Sequence, residues 1–293
     1  MKRVVSVSLG SSRRDHRAEV DFLGQSFEVE RRGVDGRFKQ AQALLRELDG
    51  QVDAIGLGGV DITLRCRDKR YVLRDGQRLL DCVTSTPVVD GSGLKDTLEA
   101  AVVHQLATTY PLQGARVLVV SALDRFGLAE ALVQEGARCV FGDKIFTLDL
   151  DQPIHDLDEL EVQAEKLLPE LCKLPISMLY PVGPSQMNIE PRELTTRYLH
   201  EADWIAGDFH LIRRRLPPQL PGKTILTNTI TSDDIEELRS RGVATLITTT
   251  PEFGGRSFGT NVLEAMLVAA GKDSNELLRD LPWRPRILSL QSK

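Results

Sequence analysis

Val117–Asp143 reads VLVVSALDRFGLAEALVQEGARCVFGD, and this stretch decides the fold. Val117–Val120 is an unbroken apolar run rich in β-branched residues, the composition of a strand buried on both faces. Ser121–Arg125 is a tight loop, Gly127–Glu135 a helix ended by Gly136, and Arg138–Phe141 the next strand, with the acid Asp143 just beyond it. Strand, loop, helix, strand and an acid about 20 residues after the loop is the layout of a dinucleotide site. Such loops use glycine because the turn is tight, the backbone touches the pyrophosphate and the helix packs closely on the strand. Here Ser121 stands at the first glycine position, Asp124 stands where a glycine meets the phosphate, and only Gly127 remains, at the helix-packing position. The Asp124 carboxylate repels a pyrophosphate, and Arg125 beside it can offset that charge. Asp143 is placed to accept from ribose hydroxyls, which favours NAD over NADP. Two readings stay open: a working dinucleotide site with a damaged fingerprint, or a Rossmann unit that kept its fold and lost its cofactor.

Outward from this unit the alternation continues. Downstream, Leu157–Leu168, Arg192–Leu199 and Asp233–Arg241 read as helices, and Ile176–Leu179, Trp204–Ala206, Thr224–Thr227 and Thr245–Thr249 as strands. Upstream, Val4–Ser8, Phe27–Glu30 and Asp53–Leu57 read as strands, and Ile62–Cys66 with Tyr71–Leu73 as a hairpin. Phe38–Leu48 carries apolar residues at helical spacing, and Leu94–Thr108 is a long helix that Ser92 could cap. Repeated β-α-β with short connections means a parallel sheet covered by helices. The expectation is an α/β chain of two α/β regions, the second a Rossmann-like doubly wound parallel sheet. Residues 1–110 form a substrate region and residues 111–256 the dinucleotide region. Residues 257–293 form a helix, Leu263–Ala270, that returns toward the first region, and a loosely held basic tail.

Composition bounds the function. Of 293 residues 41% are hydrophobic, enough for a full core, and the net charge is −5, so the field of the whole molecule attracts neither nucleic acid nor anionic lipid. No apolar run approaches the roughly 18 residues of a membrane span. Cys66, Cys82, Cys139 and Cys172 are scattered, without C-x-x-C or histidines at ligand spacing. This predicts neither structural zinc nor disulfides, and a reducing, cytoplasmic compartment. P-loop, G-x-S-x-G, H-E-x-x-H and EF-hand spacings are absent.

The candidate sites lie at strand ends, where parallel sheets bind ligands. Ser11, Ser12, Arg13 and Arg14 follow Gly10 at the end of the first strand and suggest an anion cradle, with a solvated charged helix start as the competing reading. Gly56–Asp61 puts three glycines and an acid at another strand end, in competition with a plain bend. Thr84 and Thr86 precede Pro87, and Lys95-Asp96 opens the long helix as a candidate proton-transfer pair. Adjacent helical residues point about 100° apart, so an ordinary ion pair or cap competes. Gly207 and Asp208 follow one strand, and Thr250–Gly255 another. Of the isolated histidines, His104 lies nearest the expected junction of the regions.

The order of a smaller α/β region, a connecting helix Leu94–Thr108, the unit Val117–Asp143 and a late helix Phe258–Ala270 resembles the shikimate/quinate dehydrogenase superfamily, most of all the bacterial proteins labelled quinate 5-dehydrogenase. That resemblance implies a nicotinamide-dependent oxidoreductase acting on a small polyhydroxy acid, with a lysine and an aspartate in the cleft. Lys95 and Asp96 are the nearest matches, although the family's pair is widely separated. The dinucleotide would lie across Ser121–Gly127 and Gly207, and the anionic substrate near Ser11–Arg14, Thr84, Thr86 and Lys95. A weaker likeness to acyl-carrier-protein reductases rests on Leu57-Gly58-Gly59 and Leu263–Leu267. It lacks the nucleophilic cysteine, whose place Asn261 takes. The alternative to an enzyme is a non-catalytic ligand-binding or sensor protein on the same scaffold. A homodimer is the candidate assembly.

Overall fold

The computed structural model describes residues 1–228, 230–250, 252–253, 256–273 and 284–291. The first part of the chain runs β1 (Lys2–Ser8), a 3-10 turn at Ser12–Arg14, β2 (His16–Phe22), β3 (Gln25–Gly33), α1 (Phe38–Leu48), β4 (Ala54–Gly58), β5 (Thr63–Cys66), β6 (Lys69–Val72), α2 (Arg74–Leu80), β7 (Val88–Val89) and α3 (Ser92–Ala107). The main sheet has the order β2-β3-β1-β4-β7 and is parallel except for β2. Central β1 buries Val4, Val5 and Val7, as a strand covered on both faces must. Strands β5 and β6 form the expected hairpin.

The second part runs β8 (Arg116–Val119), α4 (Phe126–Gln134), β9 (Arg138–Phe141), α5 (Asp143–Leu148), α6 (Leu157–Leu171), α7 (Ile176–Leu179), α8 (Glu193–Glu201), β10 (Trp204–Ala206), α9 (Phe209–Arg214), β11 (Thr224–Thr227), α10 (Ser232–Ser240), β12 (Thr245–Thr248), β13 (Glu252–Phe253), β14 (Arg256–Ser257), α11 (Thr260–Ala269) and β15 (Arg286–Ser289). Its main sheet has the order β15-β12-β11-β10-β8-β9, with five parallel strands and β15 antiparallel at the edge. The chain is therefore α/β, and this sheet is doubly wound, because the connections reverse direction between β8 and β10. The helix α11 packs back on β1 and β4 of the first sheet and on α3.

Three expectations are corrected. Ser11–His16 does not open a helix but leads into the edge strand β2, paired with β3 through Leu23 and Gly24, both at positive φ. Alternating Arg17, Glu19 and Asp21 blunt that edge, and the same charges disguise the strand as a solvated face. Ile176–Leu179 is one turn of helix after Pro175, not a strand. The tail is not loose at 286–289, where β15 hydrogen bonds along β12.

Helix α3 is the spine between the sheets. A Cβ on Gly127 would lie 2.7 Å from the Asp96 carbonyl oxygen and 2.9 Å from that of Lys95. The glycine thus serves close packing as expected, but against α3 rather than against its own strand. Gly127→Val is expected to lower stability by about 1–3 kcal/mol through overpacking, read from urea unfolding midpoints with an unchanged slope.

Candidate functional site

In open parallel sheets the loops part at the switch point, where successive connections leave in opposite directions, and a crevice forms there at the carboxyl ends of the strands. The first sheet switches between β1 and β4, and the second between β8 and β10. Both crevices open onto one cavity of about 170 Å³, lined by Ser6, Ser8, Gly58, Gly59 and Asp61 on one side and Asp124, Arg125, Asp208 and His210 on the other.

Lys95 crosses this junction. Its Nζ lies 2.6 Å from Asp61 Oδ1 of the first sheet and 2.6 Å from Asp124 Oδ1 of the second. All three residues are buried. Asp124 also meets Arg125 at 3.4 Å, and Arg125 pairs with Glu99 and, at 3.1 Å, with Asp208. Burial opposes the charge on Lys95, but Asp124 and Asp61 outweigh it and hold the ammonium above its usual range. Burial and the neighbouring Asp124 hold Asp61 well above the ordinary carboxyl range despite Lys95, whereas Lys95 and Arg125 overcome burial and keep Asp124 low. Burial pushes Glu99 up to about 7 against the pull of Arg125 and Lys95.

The opposite end of the cavity is cationic. Arg14 Nη1 lies 2.7 Å from His210 Nε2 of the facing sheet. A guanidinium can only donate, so Nε2 accepts and the ring proton sits on Nδ1. Burial and Arg14 push His210 down to about 4, so the ring is neutral. Arg31 Nη2 reaches Ser8 Oγ at 3.0 Å, and its Nη1 reaches Asp15 at 2.7 Å. His16 stacks on Phe258 in the cavity lining, with ring centroids 5.6 Å apart.

Several predicted residues are elsewhere. Asp96 is not the partner of Lys95. It faces the β5–β6 hairpin and pairs with Arg65 at 2.8 Å and Arg70 at 3.7 Å. On a helix the same-face neighbour of Lys95 is Glu99, four residues on. The sequence signal for it was two charges at i, i+4 beside the apolar stripe Leu94, Leu98 and Val102. Thr84 and Thr86 lie before β7, away from the cavity, and their backbone amides bind the Asp49 carboxylate at 2.9 Å. Ser12 binds Asp35 through its backbone and hydroxyl, and Arg13 is exposed. Ser11 is buried as the cap of that turn, so Arg14 is the one member of the cradle that lines the cavity. His104 pairs with Glu135 at the surface. Gly207, at φ 131°, makes room for Val120, whose Cγ2 would lie 2.7 Å from a Cβ there. Of Thr250–Gly255, residues 251, 254 and 255 lie outside the described residues.

The nucleotide loop is also rearranged. Asp143 does not extend toward a ribose. It opens α5, and its carboxylate accepts the backbone N–H of Ala122 at 3.1 Å and of Leu123 at 2.9 Å. Burial still holds it up to about 6. These are amides of the loop that a pyrophosphate would use, and the Asp124 position carries a buried carboxylate. Ser121 is buried beside Tyr180. The loop as built does not fit a pyrophosphate. Among the described residues no three His, Cys, Asp or Glu side chains form a metal-ligand group, and no helix is long and apolar enough to cross a membrane.

Residues 93–290 match the family described as Domain of unknown function (DUF8754), and residues 3–90 match one described as Domain of unknown function (DUF8753). A search of curated proteins finds no match. Among solved structures the chain is similar to the hetero-hexameric glutamate dehydrogenase from Thermus thermophilus, with 15% identity, 95% of this chain and 71% of that one covered, and a TM-score of 0.42. It is also similar to the glucose-galactose binding protein GanP from Geobacillus stearothermophilus, with 12% identity, 99% and 97% coverage and a TM-score of 0.36. The NAD-dependent malic enzyme from Thermotoga maritima is a third, with 12% identity, 86% and 66% coverage and a TM-score of 0.32. Likeness at this level carries no argument about activity.

The charge network makes two predictions. Asp124→Gly, which would restore a glycine to the fingerprint, is expected to cost about 3–5 kcal/mol because it strips a carboxylate from buried Lys95 and Arg125. A guanidinium-chloride titration reads this directly, and a neutral or stabilising result contradicts it. Glu99→Gln tests the pH dependence. The folded-state pKa of Glu99, about 7, exceeds its ordinary 4.5, so its stabilising contribution is full below about 4.5 and is lost as pH rises through about 7. The difference in melting temperature, wild type minus Glu99→Gln, is therefore expected to fall across that window.

Proposed function

The chain belongs to the DUF8754 family, a domain of unknown function, and we propose that its interlobe cleft binds a small polyhydroxylated acid. The observation that carries this reading is the shared cavity: two switch-point crevices face each other and present cations at one end and a lysine–carboxylate cluster at the other. The carboxylate of the ligand meets Arg14 and Arg31, which recognise planar oxyanions through paired donors. Its hydroxyls reach Ser6, Ser8 and Asn261, and the far end reaches Lys95 and Asp61. Closing such a ligand between two lobes excludes water and strengthens each polar contact.

Dehydrogenation of a quinate- or shikimate-like acid is the second reading, and the Lys95–Asp61 pair favours it. A lysine held protonated beside a carboxyl whose affinity for a proton is raised can donate to, or orient, a substrate oxygen. This reading also needs NAD or NADP, and the Asp143 carboxylate on the Ala122 and Leu123 amides opposes a dinucleotide at that loop. The first reading is therefore preferred.

Calorimetric titration separates the two. Quinate, shikimate and related cyclic hydroxy acids are expected to bind the purified chain, and Arg14→Gln to weaken them about tenfold, equivalent to roughly 1.4 kcal/mol. Neither oxidised nor reduced dinucleotide is expected to saturate. If no acid binds at millimolar concentration, the cleft reading fails. Saturable dinucleotide binding would favour the dehydrogenase.

A further inference from the structure

Along the first sheet the cleft-lining residues change character with strand position. Along the first sheet the order β2-β3-β1-β4-β7 places Arg14 and Arg31 at one end, the hydroxyls of Ser6 and Ser8 in the middle, and Asp61 and Asp90 at the other. On the facing sheet Asp208 and His210 follow β10, and Asp124 and Arg125 follow β8. His210, after β10, meets Arg14, while Asp124, after β8, meets Lys95. The carboxyl ends of β3 and β4 are two strand spacings apart, about 10 Å.

Burial, followed by the proximity of Arg14, pulls Arg31 below its usual range even though Asp15 is its partner. The charge network around Lys95 and Arg125 is unbalanced. Asp61, Asp124, Glu99 and Asp208 contribute four carboxyls to the connected network against the two cations Lys95 and Arg125. With all of them ionised, an excess of two negative charges is buried, which is strongly disfavoured without a further cation or protons. Asp90 adds a further carboxylate beside this network, accepting from the Ile62 and Ser92 amides. A third observation is independent of the charges. Gln186 lines the cavity at 4% exposure, and its Oε1 has no hydrogen-bond partner among the described residues. A buried acceptor of this kind calls for a donor from a ligand.

We infer that the ligand is zwitterionic: a compact acid whose carboxylate meets Arg14 and Arg31 and whose ammonium group, across a ring or a hydroxylated spacer, enters beside Asp61. This rests on the small-acid reading of the cleft and narrows its substrate class, replacing a hydroxyl at the acid end with an amine. A 1,4-substituted six-membered ring is one compact scaffold that carries both groups. The ammonium supplies the cation that the network lacks, and a donor on the spacer satisfies Gln186 Oε1.

The matched probes trans-4-aminocyclohexanecarboxylate and trans-4-hydroxycyclohexanecarboxylate test this by calorimetry on the full chain at pH 7. The amino acid is expected to bind at least about tenfold more tightly. Asp61→Asn, nearly isosteric, is expected to bring the two affinities together, whereas Arg14→Gln is expected to weaken both alike. If the hydroxy acid binds as tightly as the amino acid to the wild-type chain, the zwitterion is overturned and the small-acid reading stands. If neither probe binds while quinate or shikimate does, the inference again falls alone. If none of these acids binds, both fall together.

Discussion

The Lys95 ammonium sits 2.6 Å from a carboxylate of each sheet, and most of the architecture follows from keeping it there. On a surface such a bridge contributes little, because water screens it and the side chains lose entropy. Buried, the charges have given up their hydration, and loss of any one partner leaves the others uncompensated. Asp61 leaves the end of β4, Asp124 leaves the end of β8, and α3 carries the lysine between them. Two sheets and a helix must therefore be placed within hydrogen-bond tolerance of one atom. The backbone-to-backbone approach of α3 and α4 at Gly127 sets the distance on one side. The packing of α11 on β1, β4 and α3 holds the other. Glu264 of α11 accepts the Gly91 and Gly93 amides at the start of α3, at 2.7 and 3.2 Å, and so caps the same helix.

The electrostatics of the cleft inherit this geometry. Arg125 extends the network to Glu99 on α3 and to Asp208 after β10, so the floor of the cavity is a connected set of charges rather than separate pairs. In a medium of low polarisability each charge senses the next strongly. Burial raises Asp61 and Glu99 above exposed carboxyls, whereas Lys95 and Arg125 overcome it at Asp124. A loop that elsewhere would be read as a phosphate cradle is here a structural junction. Its amides at Ala122 and Leu123 are satisfied by Asp143, and its acid is consumed by Lys95 and Arg125.

Much of the scaffold could be read from local pattern. The run Val117–Val120, the spacing within Phe38–Leu48 and the short apolar segments Trp204–Ala206 and Thr224–Thr227 identify elements correctly, because burial on one or two faces imposes a period that side chains reveal. Gly56–Asp61 and Arg14 were visible as strand-end residues. The edge strand β2 was not visible as a strand, because alternating charge is what both a protected edge and a solvated turn display. Lys95 was visible, but its pairing with Asp96 was a matter of adjacency, and a helix turns adjacent residues apart.

By itself, then, the sequence determined an α/β chain with a doubly wound parallel sheet, and it marked the strand ends where charge and glycine collect. Only the tertiary structure decided which of those ends face one another. Periodicity is a property of neighbours along the chain, whereas Lys95 finds its carboxylates 34 and 29 residues away, and Arg14 meets His210 at a separation of 196. The partner of a buried charge is chosen by how whole sheets dock and by the cost of leaving that charge alone, and neither is written in any local stretch.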